Sequence, residues 1–195
     1  MASNSPTATD KDELLLSCRY GDIEDVQLFA DKYGVETLSG IRDDNGNTVL
    51  HMICGNGHAD LLDYLLPIIP PSLLSEKNAA QSTPLHWVAL NSHLACAQKL
   101  VQFPGGPGVD LIDIKNAAGH SPLAEAEFAG WDEGAKWFVE VMNLEAEDGP
   151  NDEESDEGVR NEAEPALDKI DVTIEDADGQ LATMTIDAGA RNRPS

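Results

Sequence analysis

The chain has 195 residues, 41% of them hydrophobic, and carries 12 Lys and Arg against 36 Asp and Glu, a formal net charge of −24. That length holds one domain of ordinary size plus a tail, and the acidity argues against nucleic acid and anionic membranes as partners, leaving a basic protein as the natural complement. Three cysteines, Cys18, Cys54 and Cys96, are odd in number and widely spaced, which fits reduced thiols and not a disulfide framework.

Residues 1–10 are polar, contain no apolar signal-peptide core and are expected to be disordered. No apolar run is long enough to span a bilayer. These features, with the reduced thiols, place the chain in the cytoplasm or nucleus as an expectation.

From residue 11 to residue 144 the sequence repeats itself. Asp43–His51, Asn78–His86 and Asn116–Ala124 align, with Thr48, Thr83 and Ser121 in register, 35 and 38 residues apart. Nine residues past each comes a second turn, at Gly57-His58, Ser92-His93 and Gly130-Trp131, and Gly21-Asp22 is the same turn in a degenerate first copy. In each later copy a hydroxyl residue, twice followed by Pro, caps and opens a helix of about two turns. A glycine then supplies the left-handed turn. A longer second helix is expected over Ile23–Lys32, Ala59–Leu66, Leu94–Val101 and Asp132–Met142, where apolar residues recur at helical spacing. One such pair cannot bury its apolar face alone, whereas four can stack.

Charge is spread unevenly beyond the repeats. Up to Leu144 there are 8 bases and 20 acids, and the remaining 51 residues hold 4 bases and 16 acids. Residues 145–169 form an acidic linker expected to be disordered. In residues 170–195, Ile170, Val172 and Ile174 alternate with polar residues, Asp176–Gly179 offers a turn, and Leu181–Ile186 follows. This reads as a two-stranded hairpin, marginal in isolation. It is expected to be disordered, to dock on the repeats, or to add strands to a partner sheet.

Thr83-Pro84-Leu85-His86, the near match Thr48-Val49-Leu50-His51 and the turn Gly57-His58 resemble the signature of the ankyrin-repeat family over roughly Lys11–Leu144. The resemblance implies an all-α solenoid of about four helix-turn-helix repeats followed by an acidic, largely disordered tail. Gln81 and Ser92 depart from the glycines the family favours, and Ala124 replaces the last signature His. His51 and His86 take the position where the family's ring ties neighbouring turns together, and Cys18 and Cys54 share a small core position. No zinc-ligand spacing, phosphate loop or nucleophile motif is present. No enzymatic activity, catalytic residue, metal or cofactor is therefore expected.

In this family the partner lies along the concave face, made of fingertips and the ends of first helices. By register that face carries Asp44 and Asn45 at a tip, and Arg19, Tyr20, Asn56, Leu90, Asn91 and Phe128 at helix ends. Tyr20, Leu90 and Phe128 are the expected apolar anchors. Trp87 lies beside them or packs between repeats, and Trp131 is close by. Leu50–His58, Thr83–Asn91 and Gly119-His120 leading to Glu125–Glu127 resemble the fungal ankyrin-repeat chaperones dedicated to ribosomal protein S3. That resemblance implies a monomer whose partner is free ribosomal protein S3, a basic protein, with no direct contact to nucleic acid or membrane. The alternative is an ankyrin-repeat adaptor or inhibitor of a transcription or signalling protein.

Overall fold

The computed structural model describes residues 5–147, 169–175 and 181–187. The chain divides into two compact units, Met1–Pro150 and Asn151–Ser195. The linker expected over 145–169 lies outside the described residues except for 145–147, which continue a helix, and Lys169, which opens a strand; the turn Asp176–Gly179 lies wholly outside them.

In the first unit four helix pairs follow one another, each joined by a tight turn: α1 (Ala8–Tyr20) with α2 (Ile23–Tyr33), followed by the single turn α3 (Val35–Leu38). Next come α4 (Val49–Asn56) with α5 (Ala59–Leu65), and α6 (Pro84–Asn91) with α7 (Leu94–Val101). The single turn α8 (Asp110–Asp113) then leads to α9 (Pro122–Phe128) with α10 (Asp132–Glu147). The all-α ankyrin solenoid is the architecture observed. First helices pack side by side in the order α1, α4, α6, α9, and the second helices α5 and α7 form a layer behind them.

Local chemistry explains the boundaries. Thr48 accepts the backbone N–H groups of Leu50 and His51, and Ser121 that of Ala124. At the front, helix α1 begins three residues inside the segment expected to be disordered. There Thr7 and Asp10 form a reciprocal capping box, the Thr7 N–H donating to the Asp10 carboxylate at 2.9 Å and the Asp10 N–H to the Thr7 hydroxyl at 3.2 Å. The Thr7 hydroxyl and the Thr7 N–H, both bonded to the Asp10 carboxylate, hold that carboxyl well below the usual carboxylate range.

The Pro-rich connections are built and not loose. Pro71–Ser75 forms a 3-10 turn that buries Leu73 and Leu74, and α8 buries Leu111 and Ile112. The core runs the length of the stack through Leu14, Cys18, Val49, Leu50, Ile53, Leu85, Val88, Ala89 and Ala126 on the first helices. Leu61, Leu62, Leu65, Cys96, Leu100 and Phe138 fill it from the second.

In the second unit β1 (Lys169–Glu175) pairs antiparallel with β2 (Leu181–Asp187). Ile170 stands opposite Ile186, Val172 opposite Met184 and Ile174 opposite Ala182.

Candidate protein-binding face

The fingers that precede α4, α6 and α9 are each tied at the base by one side chain. The Asp43 carboxylate accepts the N–H groups of Asn45 (2.9 Å) and Asn47 (2.7 Å). Asn78 does the same for Ala80 and Ser82, and Asn116 for Ala118 and His120, all at 3.0 Å. Neighbouring fingers are then joined tip to tip: the Ala79 N–H donates to the Asn45 carbonyl (2.8 Å) and the Ala117 N–H to that of Ala80 (3.0 Å).

Histidines make the second tie. Nδ1 of His51 accepts the Thr48 N–H at 3.1 Å, so the proton sits on Nε2, which donates to the Ser82 carbonyl at 2.9 Å. His86 repeats the arrangement, Nδ1 taking the Thr83 N–H at 3.0 Å and Nε2 reaching the His120 carbonyl at 3.1 Å. Burial pushes the His51 imidazolium down to about 4, and His86 is lowered for the same reason. His58 lies over Gly21 and His93 over Gly57, each ring so close that an added Cβ would collide with it.

The cysteines are interior. Burial raises the Cys18 thiol to about 12 and Cys96 to about 11, and lifts Cys54 well above its ordinary value. A thiol held so far from ionisation is a poor nucleophile. Among the described residues no group of three or more His, Cys, Asp or Glu is placed to hold a metal ion, and no helix is long and apolar enough to cross a membrane.

On this frame the first finger and the ends of α1, α4 and α6 enclose a concavity of about 370 Å³, lined by Arg19, Asp43, Asn45, Asn47, Met52, Gly55, Asn56, Trp87 and Asn91. A second hollow of about 200 Å³ shares Arg19, Asp43 and Met52 and extends the groove to Asp12, Leu15 and Leu16. Trp87 packs against Gly55, where a Cβ would lie 2.6 Å from the indole, and meets His51 edge-on at 5.7 Å. It is therefore both a spacer between repeats and the half-buried apolar wall of the groove. Asn56 and Asn91 each donate one of their two amide N–H groups, to the carbonyls of Met52 (2.8 Å) and Trp87 (2.9 Å), and keep an Oδ1 that can accept. The groove is mixed in charge: the Asp43 carboxylate, the asparagine amides and, in the second hollow, the Asp12 carboxylate stand with the Arg19 guanidinium around an apolar wall.

Five of the expected residues, Arg19, Asn45, Asn56, Trp87 and Asn91, thus share one concavity. Asp44 is exposed at its fingertip, outside the lining. Tyr20 (66% exposed), Leu90 (49%) and Phe128 (71%) stand clear of the hollow as separate surface side chains, Phe128 resting on the His120 ring at 4.8 Å. Trp131 belongs to the core: it covers Gly134 and meets Phe138 edge-on at 6.0 Å. The residues overlooked, Leu16 and Met52, occupy the same repeat position as Trp87, five before the turn. An aliphatic residue there reads as core, and only the repeat register marks it as facing the groove.

The family profile for ankyrin repeats in three copies matches residues 14–113, and the chain belongs to the ankyrin-repeat family. Mouse Synphilin-1 is 35% identical over 66 residues, a match that covers 34% of this chain and only 7% of that protein. The ankyrin repeat-containing protein YAR1 of Saccharomyces cerevisiae (strain ATCC 204508 / S288c) is 28% identical over 158 residues, 75% of this chain and 76% of YAR1. Among solved structures, the fold is similar to the crystal structure of yeast ribosomal protein Rps3 in complex with its chaperone Yar1. There the TM-score is 0.64 and the identity 26%, over 70% of this chain and 95% of that one.

Proposed function

We propose that this chain is a chaperone that shields a basic ribosomal protein, ribosomal protein S3, and keeps it soluble until small-subunit assembly. The observation that carries the reading is the similarity to Yar1, which spans most of both chains and whose solved structure has Rps3 as its client. The chemistry of the face agrees with it. Beside the Arg19 guanidinium, the Asp43 carboxylate and the amide oxygens around the Trp87 wall accept Lys and Arg donors, and the wall offers their aliphatic stems an apolar surface. A free RNA-binding protein exposes cationic surface that would otherwise find the wrong polyanion, and a chain of net charge −24 covers it.

No reaction and no nucleotide enter this account. Release follows from competition by ribosomal RNA or assembly factors, and the chain acts in the cytoplasm and nucleus.

The test is affinity purification of the tagged protein from its own cells, with mass spectrometry of what co-elutes. Free ribosomal protein S3 without the rest of the small subunit is the expected result. Whole subunits, or a transcription or signalling protein alone, would overturn the reading in favour of an adaptor.

A further inference from the structure

The antiparallel register of β1 and β2 sets Ile170, Val172, Ile174, Ala182, Met184 and Ile186 on one face of the hairpin. Residues directly opposite in an antiparallel pair belong to the same face of the pair. The other face takes the polar and charged positions, among them Asp171 opposite Thr185 and Thr173 opposite Thr183. Two strands with one apolar face are marginal in water, and stability comes from a third strand or a surface that covers that face.

Three surfaces are candidates: the chain's own repeats, a second copy of the chain, or the client. Charge separates them. The residues up to Leu144 and those after it each carry −12, and a second copy carries −24, so the first two covers bring like charge together. A basic protein brings opposite charge to the acidic run that precedes the hairpin.

Resting on the chaperone reading above, we propose that the hairpin is a second client-binding element, which lays its apolar face on ribosomal protein S3 and becomes stably folded only there. The acidic run draws the basic client close, and the hairpin then covers apolar surface that would otherwise drive aggregation. Tethered behind the repeats, it needs little affinity of its own, because a linked second contact works at high effective concentration.

Amide hydrogen exchange of the full chain, alone and with purified ribosomal protein S3, tests this. Residues 169–175 and 181–187 should exchange rapidly in the free chain and become protected in the complex. Val172→Asp with Met184→Asp, a pair facing each other in register, should abolish that protection and weaken binding about tenfold. Thr173→Lys with Thr183→Glu changes the opposite face with an opposite-charge cross-strand pair and should leave affinity within about twofold. Protection already present in the dilute free chain, or appearing with a concentration-dependent dimer, would overturn the proposal. So would a complex that binds normally while the strands stay unprotected. Failure of the native chain to bind S3 at all would remove the chaperone reading itself and this inference with it.

Discussion

The buried histidines have only one protonation state compatible with their partners. A proton on Nδ1 of His51 would face the Thr48 N–H, and a charged ring would sit where water cannot reach it. Its folded-state value of about 4 lies below the 6.5 of an unfolded chain. The stabilisation from keeping it neutral is therefore complete above pH 6.5 and is lost progressively as pH falls toward 4. The lost amount is about 3 kcal/mol, and His86 acts in the same direction. Urea midpoints should drop between pH 7 and pH 5 in the native protein. His51→Asn should be less stable at pH 7 and show a flatter dependence; an equally steep one would place the titration elsewhere. Within the groove, Asn91 is exposed and donates one amide N–H to its own helix. Asn91→Lys replaces an acceptor by an ammonium that repels a cationic client. Its binding to S3 should weaken by about tenfold or more, with the thermal midpoint unchanged, as measured by calorimetry and scanning fluorimetry.

At the scale of the elements, the third repeat carries a burden the others avoid. Gln81 (φ 58°) and Ser92 (φ 60°) are left-handed where their counterparts Gly46, Gly119, Gly21, Gly57 and Gly130 are glycine. A side chain in that conformation costs about 1 kcal/mol, so Gln81→Gly and Ser92→Gly should each raise stability by about 0.5–1 kcal/mol. Equilibrium urea unfolding with an unchanged slope is the check. Both departures were visible in the sequence because a repeat makes its own comparison. For the same reason three of the second helices end within a residue or two of expectation, over Ile23–Tyr33, Ala59–Leu65 and Leu94–Val101, while the last, expected to stop at Met142, runs on to Glu147. Where the repeat falls silent, so does that comparison. Helix α1 starts early on the Thr7–Asp10 box, which belongs to no repeat position. The turns at Pro71–Ser75 and Asp110–Asp113 form because Leu74 and Ile112 find the core, a tertiary cause that local spacing does not display. The groove was legible as a set of register positions. Which of them share a hollow was not, since that depends on how Trp87 leans over Gly55.

Taken whole, the chain is a polyanion, and its repeat unit presents a row of hydrogen-bonded fingers. On the proposed chaperone role the attraction to a basic client is mostly long-range, so affinity for S3 should fall steadily as ionic strength rises and the Debye length shrinks. Titration calorimetry at low and high salt reads this directly; a complex indifferent to salt would sink the electrostatic account while leaving the fold intact. The joined fingers set how binding free energy is divided. Because Asn45, Ala80, Ser82 and His120 already hold their neighbours through backbone carbonyls, the face loses little conformational entropy when it is filled. Any ordering that binding requires then falls mainly on whatever fills the face, because the fingers are already bonded to one another.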